Sequence, residues 1–89
     1  MHTDEYEISI GREISLCRKL IRRLKSSIQK REKRYGITTE GFLKGLNQKQ
    51  LAETNPDFVN WSKDYQELRS WERMLEQYEE ELKKLIADH

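Results

Sequence analysis

The chain has 89 residues, of which 35% are hydrophobic and 37% charged, and its formal net charge at pH 7 is +1. This length excludes more than one small domain, and a lone helical hairpin of this size has little core of its own. The sequence contains neither an apolar run of membrane-spanning length nor an apolar signal segment, and its single cysteine forms no internal disulfide, so we expect a cytoplasmic protein.

The small net charge conceals two segments of opposite sign. Between Arg12 and Arg34 there are ten basic residues and two acidic ones, whereas between Asp57 and Asp88 there are nine acidic residues and five basic ones. Opposite charge on two long segments favours helices that lie side by side, the basic one against the acidic one.

Residues 1–8 are predicted to be a flexible arm. Tyr6, Ile8 and Ile10 alternate with polar residues, which is a strand-like pattern. Two other interpretations stay open: an arm that adds a strand to a partner's sheet, or an extra helical turn that Thr3 caps.

A basic helix is predicted over residues 9–35. Ser9 is its expected N-cap, and Gly36 follows where a left-handed residue ends many helices. Its apolar residues alternate in steps of four and three, which is the spacing of a coiled-coil seam. They are Ile10, Ile14, Cys17, Ile21, Leu24, Ile28 and, one heptad on, Tyr35, with Arg31 in the slot between. Leu16 and Leu20 widen this stripe on one side, which indicates burial against more than one neighbour.

Residues 36–55 are predicted to be a linker. Thr38 or Thr39 caps a short helix that contains Phe42, Leu43 and Leu46, and the segment around Leu51 is predicted to be a loop.

An acidic, aromatic helix is predicted over residues 56–86. Asn55 suits the N-cap, Pro56 the first helical position and Asp57 the positive end of the helix dipole. Its expected apolar stripe is Phe58, Trp61, Tyr65, Leu68, Trp71, Leu75, Tyr78, Leu82 and Leu85, flanked by Met74 and Ile86. The predicted fold is therefore all-α: an antiparallel hairpin of two long helices with a short connecting helix, completed by dimerisation or by a partner.

No constellation of catalytic residues is present. His2 and His89 lie at opposite ends of the chain, and Cys17 occupies a seam position, where free cysteine packs as a small apolar group. We therefore expect no enzyme activity, cofactor, metal ion or small-molecule substrate.

The aromatic side chains of the last helix allow two interpretations, core packing or partner binding. Two tryptophans on a chain with so little core are typical of interface anchors. The candidate partner-binding residues are Phe58, Trp61, Tyr65 and Trp71.

The basic helix has three possible uses. It pairs with the acidic helix of its own chain or of a second copy, it binds nucleic-acid phosphates, or it lies on an anionic membrane surface. The candidate nucleic-acid-binding residues are Arg18, Arg22, Arg23 and Lys30.

From Tyr35 to about Tyr78, the order of residues resembles a group of small, largely uncharacterised prokaryotic proteins. The resemblance rests on Tyr35-Gly36-Ile37-Thr38-Thr39-Glu40-Gly41-Phe42 and on Asp57-Phe58-Val59-Asn60-Trp61. It departs at Gly41, where the group has a second acid, and at Gln50-Leu51, where it has Glu-Leu after a glycine. Several members look like the smaller partner of toxin–antitoxin pairs.

The missing catalytic residues, the aromatic amphipathic helix and the resemblance together predict a non-enzymatic protein-interaction module. We expect an antitoxin-like neutraliser or a small regulatory subunit that occludes a protein partner such as a toxin. The apolar stripes also predict a homodimer, with or without that partner. The alternatives are a small nucleic-acid-binding regulator and a structural coiled-coil element.

Overall fold

The computed structural model describes residues 5–49 and 54–87, which form three helices in chain order. These are α1 (Glu5–Tyr35), α2 (Thr39–Asn47) and α3 (Pro56–Ala87). Hydrogen bonds from Tyr6 to Glu81 and from Arg34 to Asp57 join opposite ends of α1 and α3, so the two helices are antiparallel. The described residues contain no strand, and the predicted all-α hairpin with a short connecting helix is confirmed.

The helix α1 begins earlier than the sequence predicted. It includes residues 5–8, so for these residues the extra helical turn is the interpretation that holds, and both the flexible arm and the strand-adding arm are wrong. Ser9 lies inside the helix instead of capping it. Acidic side chains in the first turn favour the positive end of the helix dipole. The Tyr6 hydroxyl also donates to Glu81 Oε1 at 2.6 Å, which holds this turn against α3. The predicted cap Thr3 lies outside the described residues.

The end of α1 has the geometry that the sequence predicted. Gly36 has a φ of +64°, in the left-handed region, and the Ile37 N–H donates to the Glu32 carbonyl at 3.2 Å. This 6→1 hydrogen bond is characteristic of a Schellman cap. The cap gives a hydrogen-bond donor to a carbonyl at the end of the helix and turns the chain sharply.

The starts of α2 and α3 are capped as predicted. Thr38 Oγ1 accepts from the Gly41 N–H at 3.1 Å, and Asn55 Oδ1 accepts from the Asp57 N–H at 2.9 Å. The loop predicted around Leu51 lies outside the described residues. None of the three described helices has an apolar stretch long enough to cross a bilayer.

The core follows the predicted seam of α1. The buried apolar side chains are Ile10, Ile14, Cys17, Ile21, Ile28, Phe42, Trp61 and Leu68. Cys17 has no exposed surface, and burial, with a smaller contribution from Glu13, raises the pKa of its thiol. The prediction that Cys17 belongs to the core is confirmed.

The seam of α3 differs from the predicted stripe near its start. Asp57 and Asp64 face α1 and bind Arg31, whereas Phe58 and Tyr65 lie beside the seam and pack on the margin of the core. Asp57 and Asp64 precede Trp71 by fourteen and seven residues, so they continue its row along the helix.

Candidate protein-interaction surface

Four aromatic rings from all three helices close the connected end of the hairpin. This aromatic cluster consists of Tyr35, Phe42, Phe58 and Trp61. Phe42 stacks on Trp61 with ring centroids 4.0 Å apart and an angle of 3° between the planes. Phe58 lies edge-on to both Phe42 and Tyr35, at 5.3 and 5.2 Å. Such pairs add to the free energy of burial, so the cluster fixes α2 against one side of the hairpin.

Hydrogen bonds beneath the aromatic cluster hold the first residue of α2 against α1 and α3. The Trp61 indole N–H donates to Thr39 Oγ1 at 3.0 Å. The Thr39 hydroxyl and backbone N–H both donate to Glu32 Oε2, at 3.1 and 2.7 Å. Thr39 is buried, and its hydroxyl therefore joins α1 to α3 with both its donor and an acceptor position used.

The four predicted partner-binding residues fall in different places. Trp61 has no exposed surface, so its assignment as a partner anchor is wrong: stacking and the Thr39 bond hold it in the core. Phe58 belongs to the aromatic cluster, and Tyr65 lines a groove beside Thr39 and Glu40. Trp71 is half-buried and lies one heptad beyond Asp64, on the side of the hairpin away from α2.

A charged layer of Arg31, Asp57 and Asp64 crosses the seam next to the aromatic cluster. The Arg31 side chain is 15% exposed; its Nε donates to Asp57 Oδ1 at 3.3 Å and its Nη1 to Asp64 Oδ2. Burial alone would lower the pKa of Arg31, but the hydrogen bonds to Asp64 and Asp57 outweigh burial and raise the pKa. The layer therefore keeps a charged guanidinium between two seam carboxylates.

Asp57 also forms the centre of a smaller network. The Tyr35 hydroxyl and Arg34 Nη1 both donate to Asp57 Oδ2. The Tyr35 hydrogen bond, followed by those of Arg31 and Arg34, lowers the pKa of Asp57, and the same Tyr35 bond raises the pKa of Tyr35. These contacts fix the first turn of α3 against the last turns of α1.

The side of the hairpin opposite α2 carries an apolar face that no element of the described residues covers, called here the uncovered apolar face. Its residues are Leu16, Leu20, Leu24, Trp71, Met74 and Tyr78, which are half-buried except for Leu16, whose exposed fraction is 46%. Ser27 donates to Asp64 at 3.2 Å, and this bond sets the register on that side. Because Leu20 is seven residues before Ser27 and Trp71 seven after Asp64, the two lie at the same level.

The outward side of α1, away from α3, is a continuous basic face. Its residues are Arg12, Lys19, Arg22, Arg23, Lys30 and Lys33, all exposed. None of the six forms an ion pair within the described part of the chain. They span about 32 Å at 1.5 Å per residue, with no acidic side chain on that face between them.

The predicted nucleic-acid-binding residues are divided by this arrangement. Arg22, Arg23 and Lys30 belong to the basic face. Arg18 lies at the helix pair and donates to Glu79 Oε2 at 3.3 Å, so its charge is matched by α3.

The predicted pairing of the basic helix with the acidic one holds for a minority of its cations. Arg18, Arg31 and Arg34 pair with carboxylates of α3. The six cations of the basic face point away from that helix, since a helix surrounded by charge has only one side against its neighbour.

The described residues contain no group of three or more His, Cys, Asp or Glu arranged to hold a metal ion. Two of their surface clefts lie between α1 and α3, one beside Lys25 and Tyr65 and the other beside Ile14 and Leu82.

Comparison with known proteins gives no relative. No family model, no curated protein and no solved structure matches this chain.

Proposed function

We propose that the chain is a protein-interaction module whose docking surface is the uncovered apolar face. The observation that carries this proposal is the position of α2, which lies against the side of the hairpin that carries Phe58 and Tyr65. No element of the described residues covers Leu16, Trp71 and Met74 on the other side. Contiguous apolar side chains with polar margins are typical of surfaces that bind another chain.

The proposed mechanism is occlusion. An amphipathic helix of a protein partner lies along the face, with Trp71 and Met74 as the anchors and the charged margins selecting its orientation. Covering a functional surface of that partner is how an antitoxin-like neutraliser, or a small regulatory subunit, acts without chemistry of its own. The resemblance over residues 35–78 supports the antitoxin-like form, with a toxin as the partner.

The test is affinity purification from the lysate of the native cell, with and without nuclease, followed by mass spectrometry. We expect a stoichiometric protein that survives nuclease, and we expect Trp71→Ala/Met74→Ala to reduce its recovery at least about tenfold, as loss of anchor residues does. The matched control is Gln66→Ala/Gln77→Ala, two exposed positions of the same helix that should leave recovery unchanged.

Circular dichroism and thermal unfolding would verify that both variants stay folded. Equal recovery with the wild type and the folded Trp71→Ala/Met74→Ala variant would show that the uncovered face is not the docking surface.

Nucleic-acid binding is the second candidate function, and the basic face is the observation that favours it. Six exposed cations without ion pairs in the described residues, on one face of one helix, form a surface that matches a phosphate backbone. A regulator of this kind would bind mainly through charge.

Salt dependence tests this candidate. The logarithm of the binding constant should fall with the logarithm of salt concentration, with a slope of about −0.9 per phosphate contacted on a duplex. Lys19→Gln/Arg22→Gln/Lys30→Gln should flatten this slope, whereas Lys63→Gln/Lys84→Gln on α3 should not. A flat profile for the wild type, or no binding, would eliminate this function.

A further inference from the structure

The uncovered apolar face has opposite charges on its two helices at one level. Arg23 lies one turn before Ser27 on α1, and Glu67 lies one turn after Asp64 on α3. The Ser27–Asp64 hydrogen bond therefore places Arg23 and Glu67 level with each other across the face. Both side chains are exposed, and neither forms an ion pair within the described residues.

Two copies can pack through this face about a two-fold axis in two ways. With the axis parallel to the helices, α1 of one copy lies over α3 of the other, and each Arg23 meets a Glu67 at the same level. With the axis across the helices, α1 lies over α1, and Arg23 and its basic neighbours meet the same cations of the other copy. Opposite charges favour the first arrangement and like charges disfavour the second.

The apolar residues agree with the first arrangement. Because Leu20 and Trp71 lie at the same level, the two-fold axis parallel to the helices brings Leu20 of each copy against Trp71 of the other. Met74 and Leu16 extend the contact towards the open end of the hairpin. All four long helices then surround one core, and every neighbouring pair is antiparallel, as in four-helix bundles with short connections.

We propose that a second copy of this chain occupies the uncovered face, with α1 of each copy against α3 of the other and Arg23 paired with Glu67. This inference rests on the proposed function, because it names one occupant of the same docking surface. Its consequence is competition: a protein partner that binds Trp71 and Met74 must displace the second copy.

Charge reversal tests the arrangement, with the dimer dissociation constant measured by analytical ultracentrifugation from low to high micromolar concentration. Arg23→Glu and Glu67→Arg should each weaken dimerisation about tenfold, because each creates two like-charge contacts per dimer. The double variant Arg23→Glu/Glu67→Arg should return to within about threefold of the wild type, since both contacts are again opposite in charge. The matched control, Arg22→Glu, reverses a cation that points away from the face and should change dimerisation less than threefold.

Three results would overturn the proposal. A wild-type chain that is monomeric at all these concentrations would remove the second copy. Stronger dimerisation of Arg23→Glu would indicate the arrangement with α1 against α1. A double variant that dimerises no more tightly than the single variants would show that Arg23 and Glu67 are not in contact.

Ultracentrifugation and the affinity purification together separate this inference from the proposed function. If the wild type is monomeric and its capture of a partner depends on Trp71 and Met74, the proposed docking surface is supported and the proposed dimer is rejected. A dimer with the expected charge dependence, and no partner captured, would support the second copy and reject the neutraliser.

Discussion

At the scale of single residues, Thr39 and Trp61 determine how α2 packs against α1 and α3. The Thr39 hydroxyl accepts from the Trp61 indole and donates to Glu32, so one buried side chain connects three helices. A buried polar group that loses its partner costs more than the bond contributes, because it cannot return to water. The position of α2, and with it the side of the hairpin left uncovered, depends on this small network.

Replacing Thr39 by valine should therefore destabilise the fold. Thr39→Val keeps the shape of the side chain but leaves the Trp61 N–H without its acceptor, and we expect a loss of about 1–3 kcal/mol in the free energy of unfolding. Urea unfolding monitored by the fluorescence of Trp61 in a Trp71→Phe background would measure it. Ser26→Ala, at an exposed position of α1, is the control; a Thr39→Val variant as stable as this control would contradict the role of the hydrogen bond.

At the scale of helices, the charged layer determines how α1 and α3 are aligned. Arg31 occupies an apolar slot of the α1 seam, and its two carboxylate partners occupy the seam of α3. A polar group at a seam position fixes register at a cost in stability, because any other alignment leaves it unpaired.

Removing one member of this layer should lower the free energy of unfolding more than removing a matched pair does. Arg31→Leu leaves Asp57 and Asp64 without their shared cation, and we expect a loss of about 2 kcal/mol, below the range for fully buried pairs. Arg31→Leu/Asp64→Leu should recover most of that loss, because an apolar pair replaces the charged one. Chemical unfolding of both variants would measure this, and a double variant less stable than the single one would contradict it.

The cap of α3 provides a second prediction at this scale. Asn55→Ala removes the acceptor of the Asp57 N–H, and we expect a loss of about 1 kcal/mol. Asn55→Asp retains a capping acceptor and should stay within a few tenths of a kcal/mol of the wild type. Equal melting temperatures for Asn55→Ala and the wild type would show that this cap contributes nothing.

At the scale of the whole molecule, charge is distributed unevenly over a rod of 58 × 20 × 19 Å. Three arginines of α1 are matched by α3, and the basic face is not. The charged groups that contribute to stability are therefore the few matched ones, whereas the unmatched ones are available for contacts with other molecules.

The Tyr35–Asp57 network should limit stability at both ends of the pH range. The pKa of Asp57 is lowered from 3.8, so its contribution is complete above that value and is lost as pH falls through the folded-state pKa. The pKa of Tyr35 is raised from 10.0, so its contribution is complete below that value and is lost as pH rises through the folded-state pKa. We expect the melting temperature to be nearly constant between about pH 5 and 9 and to fall on either side.

Tyr35→Phe tests this explanation. It removes the hydrogen bond that shifts both pKa values, so the fall in melting temperature at low pH should become smaller. The fall at high pH should retain the part due to Tyr6, because the hydrogen bond to Glu81 raises the pKa of Tyr6. Tyr65→Phe, away from Asp57, is the control. Identical pH profiles for Tyr35→Phe and the wild type would refute the role of this network.

Local sequence signals were sufficient for most helix boundaries. Gly36, Thr38 and Asn55 act on groups within a few residues of themselves, so their effects are visible without the rest of the chain. Local signals did not decide the start of α1, where an arm and an extra helical turn were both open, because Tyr6 is held by Glu81, which is 75 residues further along.

The sequence by itself determined that this chain is an all-α hairpin, because helical periodicity and capping are local properties. Only the tertiary structure decided which aromatic and charged side chains remain available. Trp61 is buried because Phe42 and Thr39 of α2 pack against it. Trp71 stays half-buried because α2 packs on the opposite side and no other described element covers it. Charge runs likewise predicted pairing, but only the rotation of α1 about its own axis separates the cations that meet α3 from those of the basic face.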